Sequence, residues 1–110
     1  MRGTIKLMAE YSSHPIWWAS HESSNIGPID PANLPISDKL RTRLNKWAEW
    51  YDSTLNLDDP SVSGFETVSD EMRFDQEGSE IWQSLTLELK GQFNVWYYSE
   101  SRNILFTEKS

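Results

Sequence analysis

Histidines and paired acids are the side chains in this sequence whose types could support catalysis or metal binding. His14 and His21 are the two histidines, and neither is spaced from other histidines or cysteines as zinc ligands are. Asp58 and Asp59 precede Pro60, where adjacent acids more often brace a turn than share a proton. The chain has no cysteine, no Gly-x-Ser-x-Gly motif and no phosphate-binding glycine loop. We therefore expect no enzymatic activity, no metal site and no cofactor. The weaker alternative is a small hydrolase that uses one of these acids with a histidine.

Acidic residues are concentrated between residues 58 and 80. This segment contains eight acids and one base, Arg73, so its net charge of −7 equals that of the whole chain. A concentrated negative charge speeds association with a basic partner. The acids expected to dock such a partner are Asp58, Asp59, Glu66, Asp70, Glu71, Asp75 and Glu77. This hypothesis requires one continuous outward surface that Arg41, Arg43 and Lys46 do not neutralise. The alternative is a solvated helix start whose acids complement the helix dipole.

Aromatic residues are more numerous than a core of this size requires. The chain contains 6 Trp, 4 Tyr and 4 Phe. Trp17 and Trp18 are adjacent, so in a strand they point to opposite faces of the sheet. Trp50 lies off the apolar stripe of its predicted helix. We expect these three side chains to anchor a protein partner, since tryptophans are enriched at the energetic centres of interfaces. The alternative is that the loop at residues 20–35 covers the second sheet face.

Length and composition exclude several classes of protein. A chain of 110 residues predicts a single domain over residues 1–110. A net charge of −7 disfavours nucleic-acid binding, because that affinity depends on basic residues neutralising phosphates. No apolar run approaches the roughly 20 residues that span a bilayer, and no signal-peptide segment follows Met1. We expect a cytoplasmic protein that is a monomer or weak dimer when free.

Periodicity predicts the elements that must position these groups. Alternation over residues 4–11 predicts a strand with Ile5 and Leu7 on its buried side, and residues 16–19 predict a second, shorter strand. After an ordered loop at residues 20–35, Ser37 caps a first helix. A second helix begins near residue 67 or 69 and ends at Lys90-Gly91, and residues 93–107 form a hairpin. The order β-(β)-α-α-β-β predicts an α+β fold with two helices on one face of a small, mainly antiparallel sheet.

Several segments resemble a family of short, stand-alone bacterial proteins. The resemblance covers about residues 5–98 and is carried by residues 5–11, Ile16-Trp17-Trp18, Ile29-Asp30-Pro31, Leu34-Pro35, Trp47-Ala48-Glu49, Tyr51-Asp52, Thr54-Leu55-Asn56, Asp58-Asp59-Pro60 and Ser63-Gly64-Phe65. The family is similar to immunity proteins of polymorphic-toxin and contact-dependent growth inhibition systems. The resemblance implies a non-enzymatic protein that binds a toxin domain delivered by a neighbouring cell.

The residues and the resemblance together predict an immunity protein. Its partner is expected to be the carboxyl-terminal domain of a cognate toxin, and a basic nuclease would suit an acidic surface that mimics phosphate. The alternative is a non-enzymatic regulatory or homodimeric interaction domain that uses the aromatic sheet surface.

Overall fold

The computed structural model describes residues 3–19, 27–55 and 64–107, which include five strands. They are β1 (Thr4–Leu7), β2 (Ile16–Trp18), β3 (Pro28–Ile29), β4 (Asn94–Ser99) and β5 (Ile104–Phe106). They form one sheet in the order β3-β2-β1-β4-β5. β1 and β4 are parallel, whereas the other three neighbouring pairs are antiparallel. The predicted α+β class and the hairpin formed by β4 and β5 are confirmed.

The first strand is shorter than its alternation predicts. Pairing with β4 ends at Leu7, after which the Met8 amide donates a hydrogen bond to the carbonyl of Pro15. The chain turns at Ser12, whose φ of 56° is left-handed. Ala9 is buried although it lies beyond the end of the strand. The alternating pattern therefore predicts the burial of Ala9 correctly but overestimates the length of the strand.

Two helices cover one face of this sheet. α1 (Asp38–Asp52) begins at the predicted cap, where Ser37 Oγ accepts a hydrogen bond from the Leu40 amide. α2 (Val68–Glu88) begins after Thr67, whose hydroxyl accepts from the Asp70 amide in the same way. The core lies between the helices and the sheet, and includes Ile5 and Leu7 of β1.

α2 packs directly on β4 because glycine occupies the point of closest approach. A Cβ atom at Gly78 would lie 2.6 Å from the Tyr97 hydroxyl oxygen and 2.8 Å from Cζ2 of Trp47. The sequence predicts a close approach at this glycine, and another backbone is the expected neighbour. That expected neighbour is wrong, because the space is filled by two aromatic side chains.

The predicted loop at residues 20–35 is ordered in its described part, residues 27–35. It contains β3 and a short 3-10 helix, Pro31–Asn33, neither of which the sequence pattern predicted. Ile29 and Leu34 are buried, as expected of residues that pin this segment to the core. Arg41 of α1 also holds it, by donating hydrogen bonds to the carbonyls of Pro31, Leu34 and Ile36.

Candidate partner-binding surface

The amino end of α2 carries three of the predicted docking acids. Glu66 is exposed just before the helix, while Asp70 and Glu71 lie half-buried in its first turn. Negative charges are favourable there because the helix dipole places partial positive charge at its amino end. Asp70 also pairs with Arg73, and the Arg73 and Thr67 hydrogen bonds hold the pKa of Asp70 below its usual range.

Asp75 is buried within a hydrogen-bond network, with 8% of its surface exposed. One carboxylate oxygen accepts from the Tyr97 hydroxyl at 2.5 Å and from the Ser99 hydroxyl at 2.7 Å. The other accepts from Arg102 Nε at 3.1 Å and Nη2 at 2.9 Å. Burial opposes ionisation of this carboxyl, but the hydrogen bonds together outweigh it and lower the pKa of Asp75. Its carboxylate is therefore occupied by the protein itself.

Glu77 and Glu80 pair with α1 through a single arginine. Arg43 donates to both oxygens of Glu77, from Nε at 2.6 Å and Nη2 at 2.8 Å. The same Nη2 reaches Glu80 Oε1 at 2.9 Å. Hydrogen bonds with these two carboxylates raise the pKa of Arg43 further above its already high value, and burial opposes that rise. This arrangement joins the two helices, and it occupies Glu77, which the sequence analysis predicts to be available for docking.

The expectation of one continuous, unneutralised acidic surface is wrong for the described residues. Four of the six described acids between residues 64 and 80 form ion pairs with arginine. Asp70 pairs locally with Arg73 of the same helix. For the other three acids the reason is tertiary, because Arg43 and Arg102 are distant in sequence but lie next to α2 in the fold. Asp58 and Asp59 lie outside the described residues. Docking by the predicted acids is untested and stays a prediction.

The three predicted tryptophan anchors occupy different parts of the fold. Trp17 lies opposite Lys6 in the β1–β2 register, on the sheet face away from the helices, and its Nε1 donates to the Met8 carbonyl. Trp18 lies opposite Ile5, on the helix side, and its ring is 6.1 Å from that of Phe93. The two side chains therefore point to opposite faces, as predicted.

Trp50 alone lies beside the amino end of α2. Its ring packs edge-on against Phe65 and Phe74, at 6.1 and 5.2 Å between centroids. By contrast, Phe93 and its neighbour Trp18 are at the carboxyl end of α2, which at 21 residues is about 30 Å long. The fold brings Trp50 close to the first turn of α2 and leaves Trp18 at the far end.

Two exposed apolar side chains at the start of α2 are candidates that the sequence pattern did not reveal. Val68 is 74% exposed and Met72 is 64% exposed. Residues four apart share one face of a helix, so the two side chains are neighbours. The signal available in the sequence was an apolar pair lying off the core stripe that begins at Phe74. Acids flank this pair at Glu66 and Glu71.

An open pocket of about 190 Å³ lies at the same end of the molecule. Its lining comes from four segments and consists mostly of aromatic and acidic residues: Tyr11, Tyr51, Thr54, Gly64, Phe65, Glu71, Phe74, Glu100 and Ser101. The Tyr11 and Tyr51 rings stack at 4.5 Å, and the Tyr11 hydroxyl lies 3.0 Å from Thr54 Oγ1. Burial, followed by repulsion from Glu10, raises the pKa of Glu100. Of these residues, only Glu71 is among the predicted partner-binding residues.

The histidines do not form a described site. His14 is exposed in the turn before β2, and His21 lies outside the described residues. In residues 3–19, 27–55 and 64–107, no cluster of three or more potential ligands could hold a metal ion. Over the same residues, neither helix combines the length and apolar character needed to cross a bilayer.

The fold and its surfaces define a small acidic α+β protein. A family model described as Serratia CdiI immunity protein-like matches residues 3–100. The chain therefore belongs to the Serratia CdiI immunity protein-like family, and the resemblance seen in the sequence is confirmed. A comparison with curated proteins finds no match.

Proposed function

We propose that this protein is an immunity protein that binds and neutralises the carboxyl-terminal domain of a cognate toxin. The observation that carries this proposal is membership of an immunity protein-like family over residues 3–100. Neutralisation is by binding alone, without catalysis or a cofactor. The acidic composition, with an isoelectric point near 4.7, favours a basic toxin domain, and a nuclease with a phosphate-binding groove is the proposed class.

The proposed docking surface is the amino end of α2. It combines the exposed apolar side chains of Val68 and Met72 with the carboxylates of Glu66 and Glu71. An apolar centre with a charged rim is typical of protein interfaces, because burial supplies affinity while charge guides the encounter. Trp50 supports this surface from behind through its contacts with Phe65 and Phe74.

The decisive experiment uses the toxin domain that this proposal expects to be encoded directly upstream of the gene for this protein. The two purified proteins are mixed, and the dissociation constant is measured by calorimetry at low and at physiological salt. We expect a stable complex whose dissociation constant rises as salt screens the charges. Absence of a complex at low ionic strength would contradict the proposed function.

A matched pair of variants tests the surface. Val68→Ser/Met72→Ser removes the apolar pair, and we expect at least about a tenfold loss of affinity. Leu87→Ser is the control, because Leu87 is 67% exposed on the same helix, fifteen residues beyond Met72. If both variants bind the toxin domain as tightly as the unmodified protein does, the interface lies elsewhere, although the complex still forms.

The alternative function is a homodimeric interaction module, and one observation favours it. On the sheet face away from the helices, Trp17, Trp96 and Tyr98 are each only half-buried, and Leu105 is exposed. Pairing of two such faces would bury these rings. Sedimentation equilibrium separates the alternatives: a dimer that Trp17→Ser/Trp96→Ser disrupts would support the module, whereas a monomer would exclude it.

A further inference from the structure

We propose that the pocket between the amino end of α2 and the β4–β5 turn accepts an arginine side chain of the protein partner. This inference rests on the proposed function and specifies how the acidic end of the molecule recognises a basic surface. Its components are two carboxylates, from Glu71 and Glu100, and a wall of aromatic rings.

The aromatic rings of this wall contact one another. Tyr51 stacks on Tyr11 at 4.5 Å and lies 5.6 Å from Phe74, which in turn lies 5.0 Å from Phe65. The rings come from the β1–β2 turn, from α1, from the segment before α2 and from α2 itself. A cation placed over such rings is attracted by the negative face of their π systems.

The two carboxylates provide the opposite charge. Glu71 and Glu100 line the same pocket, and neither forms an ion pair within the described part of the chain. Repulsion between Glu100 and Glu10 indicates that negative charge accumulates at this end. A bound cation would relieve that repulsion. The carboxylates of Asp75 and Glu77, by contrast, already have arginine partners.

Arginine suits this combination better than lysine or a small molecule. Its planar guanidinium can stack on an aromatic ring while its N–H groups pair with carboxylates, whereas lysine presents a compact, strongly hydrated charge. The pocket, at about 190 Å³, is also smaller than the roughly 300 to 1,000 Å³ of typical small-molecule sites. It has room for one long side chain.

A titration with N-acetyl-L-arginine amide tests the pocket without the toxin. The ring signals of Tyr11 and Tyr51 and the backbone amide signals of Glu71 and Glu100 should shift in NMR spectra. The shifts should give a dissociation constant for the arginine compound on the order of millimolar. N-acetyl-L-citrulline amide has a similar shape without the charge and should bind at least about tenfold more weakly. N-acetyl-L-lysine amide should bind with intermediate affinity.

Charge-removing variants locate the binding. Glu71→Gln/Glu100→Gln should weaken arginine amide binding by about tenfold, since exposed pairs contribute modestly one by one. Glu49→Gln is the control, because it removes an exposed acid of α1 that does not line the pocket. Unchanged binding in the double variant, equal binding of the citrulline compound or tighter binding of the lysine compound would overturn the proposal.

The same variants measured against the upstream-encoded toxin domain separate the two proposals. If the unmodified protein forms no complex, the proposed function fails regardless of the pocket. If the unmodified protein and Glu49→Gln bind the toxin domain equally while Glu71→Gln/Glu100→Gln binds at least about tenfold more weakly, the pocket proposal is supported. If all three bind equally, the function stands and the pocket proposal is overturned.

Discussion

The middle of α2 and its amino end contain acids of the same type in different environments. In the middle, Asp75 and Glu77 each receive an arginine from another element, Arg102 and Arg43 respectively. At the amino end, Glu71 borders an open pocket and has no ion pair among the described residues. Paired carboxylates hold the fold together, while unpaired carboxylates remain able to meet a cation from outside.

This difference shows why a count of charges does not locate a binding surface. The segment 58–80 carries the whole net charge of the chain, yet its described acids are divided between internal and external use. Asp75 also accepts hydrogen bonds from two buried hydroxyl groups. Because Arg102 neutralises its charge as well, this carboxylate presents little negative charge to a partner. If the comparison is correct, removing Asp75 or Glu77 should destabilise the fold, whereas removing Glu100, which lines the same pocket as Glu71, should not.

The largest effect is expected for Asp75→Ala. This change leaves the Tyr97 and Ser99 hydroxyls without their acceptor and Arg102 without its partner, so we expect a loss of about 3 kcal/mol. Urea unfolding at pH 7 measures the free energy. Asp75→Asn, which keeps one acceptor oxygen, should lose less. A loss below about 1 kcal/mol for Asp75→Ala would mean that the network is not structural.

The contribution of Asp75 to the free energy of unfolding should also depend on pH. The folded protein holds the pKa of Asp75 below its usual value of about 3.9. Its stabilising contribution is therefore complete above pH 3.9 and is lost as the pH falls through the lower folded pKa. The difference in stability between the unmodified protein and Asp75→Asn should shrink over that range.

A smaller loss is expected for Gly78→Ala. The added methyl would meet Tyr97 and Trp47, and it would disturb the hydroxyl that bonds Asp75. Overpacking costs about 1 to 3 kcal/mol, and replacing glycine in a helix returns up to about 1 kcal/mol. We expect a net loss of up to about 2 kcal/mol in thermal or urea unfolding. Ser79→Ala, at the next position, should change stability by less than about 0.5 kcal/mol, and an equal effect at both positions would count against close packing.

Local signals in the sequence predicted the elements well. Ser37 and Thr67 cap the two helices because each hydroxyl accepts a hydrogen bond from a first-turn amide that has no acceptor within the helix. β4 and β5 form the predicted hairpin, and β4 pairs on both sides, as its aromatic character indicates. The α+β class follows from these short-range patterns.

Long-range contacts explain what the sequence did not predict. Glu77 and Arg43 are 34 residues apart, so no local pattern indicates their pairing. Trp50 lies off the apolar stripe of its helix, and the ring that covers it, Phe65, comes from the segment before α2. A pattern within the helix could not indicate this contact. β3 has two residues and begins with Pro28, which is too short and too unfavourable for a strand pattern to identify.

Glu77→Gln should cost about 1 kcal/mol. The change weakens a two-point ion pair with Arg43 that joins the helices at a half-buried position. Glu49→Gln, an exposed acid on α1, is the matched control and should be neutral within about 0.5 kcal/mol. If Glu77→Gln is also neutral in urea unfolding, the middle of α2 does not use its acids as the comparison requires.

Glu100→Gln is expected to have the smallest effect and the opposite sign. Burial and the nearby Glu10 raise the pKa of Glu100, so its ionised form is disfavoured in the folded protein. Removing the charge should stabilise the fold by a few tenths of a kcal/mol at pH 7. That gain should disappear as the pH falls from the raised folded pKa towards the usual value of about 4.3, where Glu100 is protonated anyway. A destabilised Glu100→Gln would show that this carboxylate also serves the fold, and the contrast between the pocket acids and the acids in the middle of α2 would be lost.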